Sequence, residues 1–354
     1  MTTSITTQPN STPRSWWKEI LLDWDRTQLA LSFLIIILAA LSPLVVKSPY
    51  YMGIIILTLI YAYVGISWNI VAGFAGQLLI GHVIFFGVGA YTTMVLLNRM
   101  SISPWIGILA AALAAAILGL IVAYLTSRYG LKLDYFALFT IALIVSMSIL
   151  FSQIKFLGQA SGLYVKFTGD SLVKMSWVSK TPYLYIAIGL LLIGILVQYW
   201  VYRSKLGKYF LAIREDEAAA AALGVNLTTY KMAAVVIAAA LGGSGGGFWV
   251  IYTTFVDPFQ VFNLGFNVEV ALVAPIIGGL GTLIGPIIGS ILNKPAADLI
   301  RGLFGGGGSG ISIIIYGTFL ILFIIFLPRG VTGLLFILYD KLRKRWLVSE
   351  EKEA

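Results

Sequence analysis

The chain has 354 residues, 59% of them apolar and only 11% charged, against about 25% charged in an ordinary soluble domain. That balance excludes a soluble domain and marks a membrane protein. The net charge of +9 comes from Lys and Arg at the ends of apolar runs, which speaks for orientation in a bilayer and against nucleic-acid binding, and the absence of cysteine excludes disulfides and thiolate metal sites.

Residues 1–28, rich in Thr, Ser, Pro and Trp, lack the apolar core and cleavage site of a secretory signal. They are expected to form a cytoplasmic N-terminal tail. Apolar segments follow at 29–46, 51–72, 78–97, 104–126, 134–156, 182–202, 231–252, 266–281, 283–302 and 311–328, most near the length of about 20 residues that crosses a hydrocarbon core. The eighth and ninth are short or broken. The expectation is an all-α, polytopic integral membrane protein of about ten (8–10) transmembrane helices with broken or re-entrant segments.

Basic residues in short loops favour the cytoplasm. Arg14, Lys18 and Arg26 place the N-terminus inside; Arg128 and Lys132 fall inside after four spans, and Arg203, Lys205, Lys208 and Arg214 after six. Lys341, Arg343, Lys344 and Arg345 place the tail 331–354 inside too. An even number of crossings meets all of these, and ten is preferred. Lys166, Lys174 and Lys180 then lie on a long outer loop, 157–181, and Lys294 and Arg301 also fall outside.

Glycines occupy specific places. "GLGTLIGPIIGS" sets Gly281, Gly285 and Gly289 four apart, as on one helical face where backbones approach closely. Pro275 and Pro286 interrupt neighbouring helices, and broken backbone must be buried in protein or line a cavity. "GQLLIG", within residues 73–90, is loosely echoed by "GTLIG" at 281–285, as an internal repeat would be. "GGGGSG" at 305–310 reads as a flexible turn.

Reactive clusters do not stand out. His82, the one histidine, has no Cys, second His or carboxylate near it in sequence, so a packed or hydrogen-bonded role is preferred to catalysis or metal binding. Asp257 reads as a loop residue before Pro258, whereas Glu269, near a span entrance, is left open. No phosphate-binding loop occurs. No catalytic residue, metal ligand or cofactor is therefore assigned. With nearly uncharged spans, energy for transport must come from another polypeptide, unless the chain is a passive small-solute channel.

The stretch "AIREDEAAAAALGVN", 212–226, departs from its greasy surroundings. Acids at its start complement a helix dipole, Ala218 to Ala222 favour helix, and Gly224 supplies a left-handed stop. A short, slim helix under the membrane, able to seat in a groove of another protein, and a solvated connector are equally compatible with these residues.

Here the sequence resembles a known family. "SKLGKYFLAIREDEAAAAALGVN" is similar to the cytoplasmic coupling loop of permeases from ABC importers for branched-chain amino acids, coinciding at Gly207, Ala212, Ile213, Arg214, Glu215, Glu217, Ala219, Leu223, Gly224 and Asn226. "WNIVAGFAGQLLIGHVIFFGVGAY" matches a second family motif at Asn69, Gly73, Ala75, Gly76, Gln77, Gly81, His82, Phe85, Gly89, Ala90 and Tyr91. "DYFALFTIAL", "GGLGTLIGP" and "LPRGVTGL" have counterparts too, so the likeness covers about residues 50–340. Departures fall near the pathway: "LGQASGLYV" at 157–165, Leu79 in place of a small Ser, and Asn267, Val268 and Glu269 where the family has S-x-E.

The resemblance implies a multi-pass permease domain over 29–330 of the LivM type, in the cell membrane, with a coupling loop at 203–230. It implies as partners a second homologous permease subunit, two cytoplasmic ATPase subunits that bind the ATP, and an extracytoplasmic solute-binding protein. Arg214, Glu215, Asp216, Glu217 and Gly224 are expected to couple to the ATPases. Asn69, Gly73, Gln77, Gly81, His82 and Glu269 are expected to line the substrate pathway. Urea or short amides are the alternative cargo.

Overall fold

The computed structural model describes residues 14–130, 133–165, 169–304, 309–337 and 339. The expectations for "GGGG" at 305–308, for Lys132 and Lys166, and for the basic C-terminal residues from 341 lie outside these. The first half of the chain forms α1 (Arg14–Val45), α2 (Pro49–Trp68) continued by a π-turn (Asn69–Phe74), α3 (Val83–Met100), α4 (Pro104–Arg128) and α5 (Leu133–Gln153). A short strand β1 (Leu163–Tyr164) precedes α6 (Thr181–Arg203), α7 (Lys205–Glu215), α8 (Glu217–Ala222) and α9 (Leu227–Thr253). Strand β2 (Phe255–Val256), α10 (Pro258–Val261), α11 (Leu264–Asn267), a second π-turn (Val268–Leu272), α12 (Val273–Gly278), α13 (Gly285–Phe304) and α14 (Ser309–Phe326) complete it.

Helix starts follow local chemistry. Pro49, Pro104 and Pro182 sit in the first turns of α2, α4 and α6, where a missing N–H costs nothing. Ser204, Asp216, Asn226, Asp257 and Asn263 cap α7 to α11 by accepting from backbone N–H groups one turn ahead.

Among the described residues, eight helices are long and apolar enough to cross a membrane. Leu264–Gly278 is a shorter apolar helix, and α13 carries Lys294, Asp298 and Arg301. The first is the expected short or broken eighth segment; the ninth is instead one continuous helix of 20 residues, α13. The core is built on α2 and α9, whose apolar stretches are each 83% buried, against 17% for Arg26–Val45 and 11% for Ile314–Ile337. Helix α9 nests against α3 and α4 because its glycines carry no side chains: a Cβ on Gly247 would stand 2.6 Å from Thr93 Oγ1, and one on Gly243 2.6 Å from the Ala111 carbonyl.

The bundle has two distinct ends. At one, β1 pairs antiparallel with β2, Asn98 Nδ2 donates to the Tyr164 carbonyl at 2.9 Å, and Lys180 Nζ to the Pro49 carbonyl at 2.9 Å. At the other lie α7 and α8, separated from Lys180 by the 23 residues of α6, or about 35 Å of helix.

Three expectations are corrected. The span expected at 78–97 begins at Val83, because residues 75–82 leave the helix after Gly76, at φ +68°. Gly281 does not share a helical face with Gly285 and Gly289: it lies before α13, at φ +78°. The single helix expected over 212–226 is two, because Asp216, at φ −158°, leaves the helical region to cap α8.

Candidate functional site: the junction of two interrupted helices

The segments 69–83 and 263–285 each break their helix inside the bundle, and each break is held by an asparagine of the other. Asn69, fully buried, donates from Nδ2 to the Thr282 carbonyl at 2.8 Å and accepts at Oδ1 from Gly281 N–H at 2.8 Å. Asn267, also buried, accepts at Oδ1 from Val83 N–H at 2.8 Å and donates from Nδ2 to the Ile80 carbonyl. Gln198 of α6 adds a second donor to the Thr282 carbonyl at 3.2 Å. Backbone groups freed by π-turns and left-handed glycines are thus paired inside protein, as a membrane interior demands. "GQLLIG" and "GTLIG", which echo each other in sequence, are the two breaks.

The polar end helices touch this junction through Arg214. Its Nη1 donates to the Gly73 carbonyl at 2.6 Å. Glycines make room for it: a Cβ on Gly76 would be 2.7 Å from Arg214 Cγ, and one on Gly281 2.7 Å from Nη1. Of the other residues expected to couple, Glu215 is exposed and pairs with Arg214 at 3.1 Å, and Asp216 Oδ1 caps α8 by accepting from Ala218 and Ala219 N–H at 2.8 and 3.0 Å. Glu217 pairs with Lys231 Nζ at 2.6 Å, tying α8 to α9. Gly224 ends α8 at φ +84° with open space around it. Leu223 beside it is 85% exposed, an apolar tip on a polar surface.

Among the expected pathway residues, Asn69 and Gly73 meet at the junction. Gln77 Nε2 donates to the Lys231 carbonyl at 3.1 Å. Gly81 N–H donates to Thr140 Oγ1 at 3.1 Å. His82 is fully buried, with Nε2 2.7 Å from Ser67 Oγ and its ring edge-on to Phe85, which is the hydrogen-bonded, packed role preferred from the sequence. Its Nδ1 has no partner among the described residues. Glu269 is not part of this group. It sits in the second π-turn with Arg301 and Lys294, towards the strand end.

Sequence reading missed the partners Thr282, Gln198 and Thr140, which carry no local signal. Lys294, Asp298 and Arg301 did carry one. Three charges spaced four and three apart inside an apolar run are neighbours on a helix face.

A helical bundle that crosses the membrane repeatedly, interrupts two of its helices at a shared polar junction and docks a polar helix pair on one end of it is a membrane permease. The chain belongs to the family described as "Branched-chain amino acid transport system / permease component", whose profile matches residues 50–328. It is similar to two curated proteins, each described as "High-affinity branched-chain amino acid transport system permease protein LivM". With that of Salmonella typhimurium it shares 26% identity over 298 residues, 77% of this chain and 68% of the relative. With that of Escherichia coli it shares 26% over 322 residues, 83% of this chain and 73% of the relative. No solved structure matches it. The homologues are permease components of transport systems, not enzymes.

Proposed function

We propose that this chain forms the translocation pathway of an ATP-driven ABC importer for branched-chain amino acids, and that ATP is hydrolysed on separate subunits. Its partners in this reading are a second homologous permease, two cytoplasmic ATPases and an extracytoplasmic solute-binding protein. Both termini and the α7–α8 end face the cytoplasm, and the β1–β2 end faces the binding protein.

The observation that carries the reading is the Arg214 bond to the Gly73 carbonyl. It joins the exposed helix pair to the place where both interrupted helices meet. Helix α8 is short and stiffened by its Asp216 cap, with Leu223 as an apolar anchor for a groove on the ATPase. Motion of α7 and α8 as a body pulls on Gly73, loosening the Asn69 tie to residues 281–282 and opening the pathway past Gly73, Gln77, Gly81 and His82. Glu215, Asp216, Glu217 and Gly224 shape and orient the coupling helix, and Glu269 guards the far end of the second interrupted segment.

The test is reconstitution of this chain with its four partner subunits in proteoliposomes with radiolabelled leucine and urea. Leucine uptake that needs ATP and the binding protein supports the reading. Uptake of urea alone reassigns the cargo, and solute flux without ATP or ATPases refutes the importer. Because the chain has no cysteine, a single cysteine at Ala221 gives a clean cross-linking probe of the ATPase contact.

A further inference from the structure

A second polar network lies towards the end opposite α7 and α8. Glu269 accepts an ion pair from Arg301 and another from Lys294 Nζ at 3.6 Å, and Lys294 also bonds Asp298 Oδ1 at 2.7 Å. The network opens into a cleft of about 400 Å³ between α2, α9 and α13, whose lining includes Tyr50, Gly53, Lys180, Tyr252, Asp298 and Arg301. That volume falls in the range of about 300–1,000 Å³ typical of small-molecule sites.

Lys180 sets the character of the cleft. Its Nζ donates to the Pro49 carbonyl at 2.9 Å and stands 5.9 Å from the Tyr252 ring centroid, with no carboxylate partner among the described residues. It reaches this position because α2 has no side chain there: a Cβ on Gly53 would lie 2.9 Å from Lys180 Nζ and 3.1 Å from Tyr252 Oη. The cleft therefore combines a cation without an acid, the half-exposed Arg301 guanidinium, the Asp298 carboxylate, and the aliphatic side chains of Ile54 and Leu57.

We propose that this cleft binds a free α-amino acid, its carboxylate on Lys180 and Arg301, its ammonium on Asp298, and an aliphatic side chain against Ile54 and Leu57. The inference rests on the reading of the chain as an amino-acid importer subunit. Lys180, Lys294 and Arg301 outnumber Glu269 and Asp298 by one charge, so a ligand carboxylate meets the surplus positive charge while its ammonium faces the Asp298 carboxylate, which Lys294 and Arg301 already share. A bound carboxylate also competes with Glu269 for Arg301. Occupancy thereby reaches the π-turn next to Asn267, and through Asn267 the junction.

The test measures equilibrium binding of radiolabelled L-leucine to the full chain in nanodiscs, beside ATP-driven leucine uptake by the assembled transporter. The variants are Lys180→Gln, Lys180→Arg and Gly53→Ala. Lys180→Gln is expected to weaken binding by about tenfold or more, as loss of a charge-assisted hydrogen bond does. Lys180→Arg should retain most affinity, and Gly53→Ala, which displaces the ammonium, should weaken it. Leucinamide and 4-methylpentanoate, each lacking one of the two charges, should compete poorly. Wild-type affinity in monodisperse Lys180→Gln and Gly53→Ala overturns the proposal, as does absence of leucine binding to the wild-type chain. So does native mass spectrometry showing a phospholipid held by the wild type and lost from Lys180→Gln while leucine binding is unchanged. If wild-type uptake stands and the variants match it, only this inference falls; if wild-type uptake of leucine is absent, the importer reading falls and takes the site with it.

Discussion

Asn69 is the most exacting place to test the junction. Replacing it with Ala removes the acceptor of Gly281 N–H and one of two donors to the Thr282 carbonyl, which keeps Gln198 Nε2 at 3.2 Å. A buried donor left unsatisfied costs about 1–3 kcal/mol, whereas measured interhelical side-chain hydrogen bonds in membranes average about 0.6 and reach about 1.7 kcal/mol. With Asn69 fully buried, a loss of about 1–2 kcal/mol is expected. Asn69→Asp should do worse despite its closer shape. It keeps the acceptor for Gly281 but turns a second oxygen on the Thr282 carbonyl and buries an unpaired charge, at a cost of several kcal/mol. Unfolding in mixed micelles by SDS titration gives both values. An Ala variant within about 0.5 kcal/mol of wild type, or an Asp variant as stable as the Ala one, would refute the account of the junction.

Other outcomes follow from the same geometry. Arg214→Ala should abolish stimulation of uptake by ATP hydrolysis while changing stability by only about 1 kcal/mol, since the side chain is 35% exposed; Arg214→Lys should recover part of the coupling, lacking the planar fork. Gly76→Ala should destabilise more than Gly224→Ala in the same SDS titration: both positions have positive φ, but at Gly76 the added Cβ meets Arg214 Cγ at 2.7 Å, while at Gly224 it meets nothing. Gly224→Ala should instead lower uptake per ATP hydrolysed, with insertion intact. Glu217→Gln should shift thermal stability by less than about 1 kcal/mol, as its pair with Lys231 is half exposed and screened by salt, yet reduce coupling in the transport assay.

What the sequence revealed and what it withheld divide along physical lines. Span existence depends on runs of apolar residues, and the long spans lie where composition put them. Breaks depend on local backbone chemistry, so the 266–281 segment announced itself as short or broken, whereas Gly281 read as part of a helical face and Gly76 as one residue of a motif until their positive φ placed them in the breaks. The exact exit of the first segment from its helix was not legible: Leu78, Leu79 and Ile80 are apolar and helix-compatible, and the groups that hold the open turn, Asn267 on Ile80 and Val83 and Thr140 on Gly81, lie in distant segments. The split at Asp216 was hidden because an aspartate in a polar run serves equally within a first turn or as its cap. Asn69 and Thr282 are 213 residues apart, a separation no local pattern spans. Lys294 and Arg301 were visible as charges out of place, but their meaning waited on Glu269, one turn-forming segment away.

The junction also explains why so little charge is needed inside the bundle. Each interrupted helix frees backbone groups that hydrocarbon would penalise by several kcal/mol apiece, and each break is closed by the other segment's asparagine. Neither break is satisfied alone, so parting the segments exposes both sets of backbone groups together. In the proposed transport cycle those groups then meet water or solute, which gives a neutral-walled pathway polar contacts without ionisable side chains at its centre. In that proposed cycle outside work enters at Arg214, whose bond goes to Gly73, within the same π-turn that begins with Asn69. A pull there acts on the ties to residues 281 and 282 before it acts on any apolar contact, and hydrogen bonds, being short-ranged and directional, yield over a far smaller displacement than packed helices do.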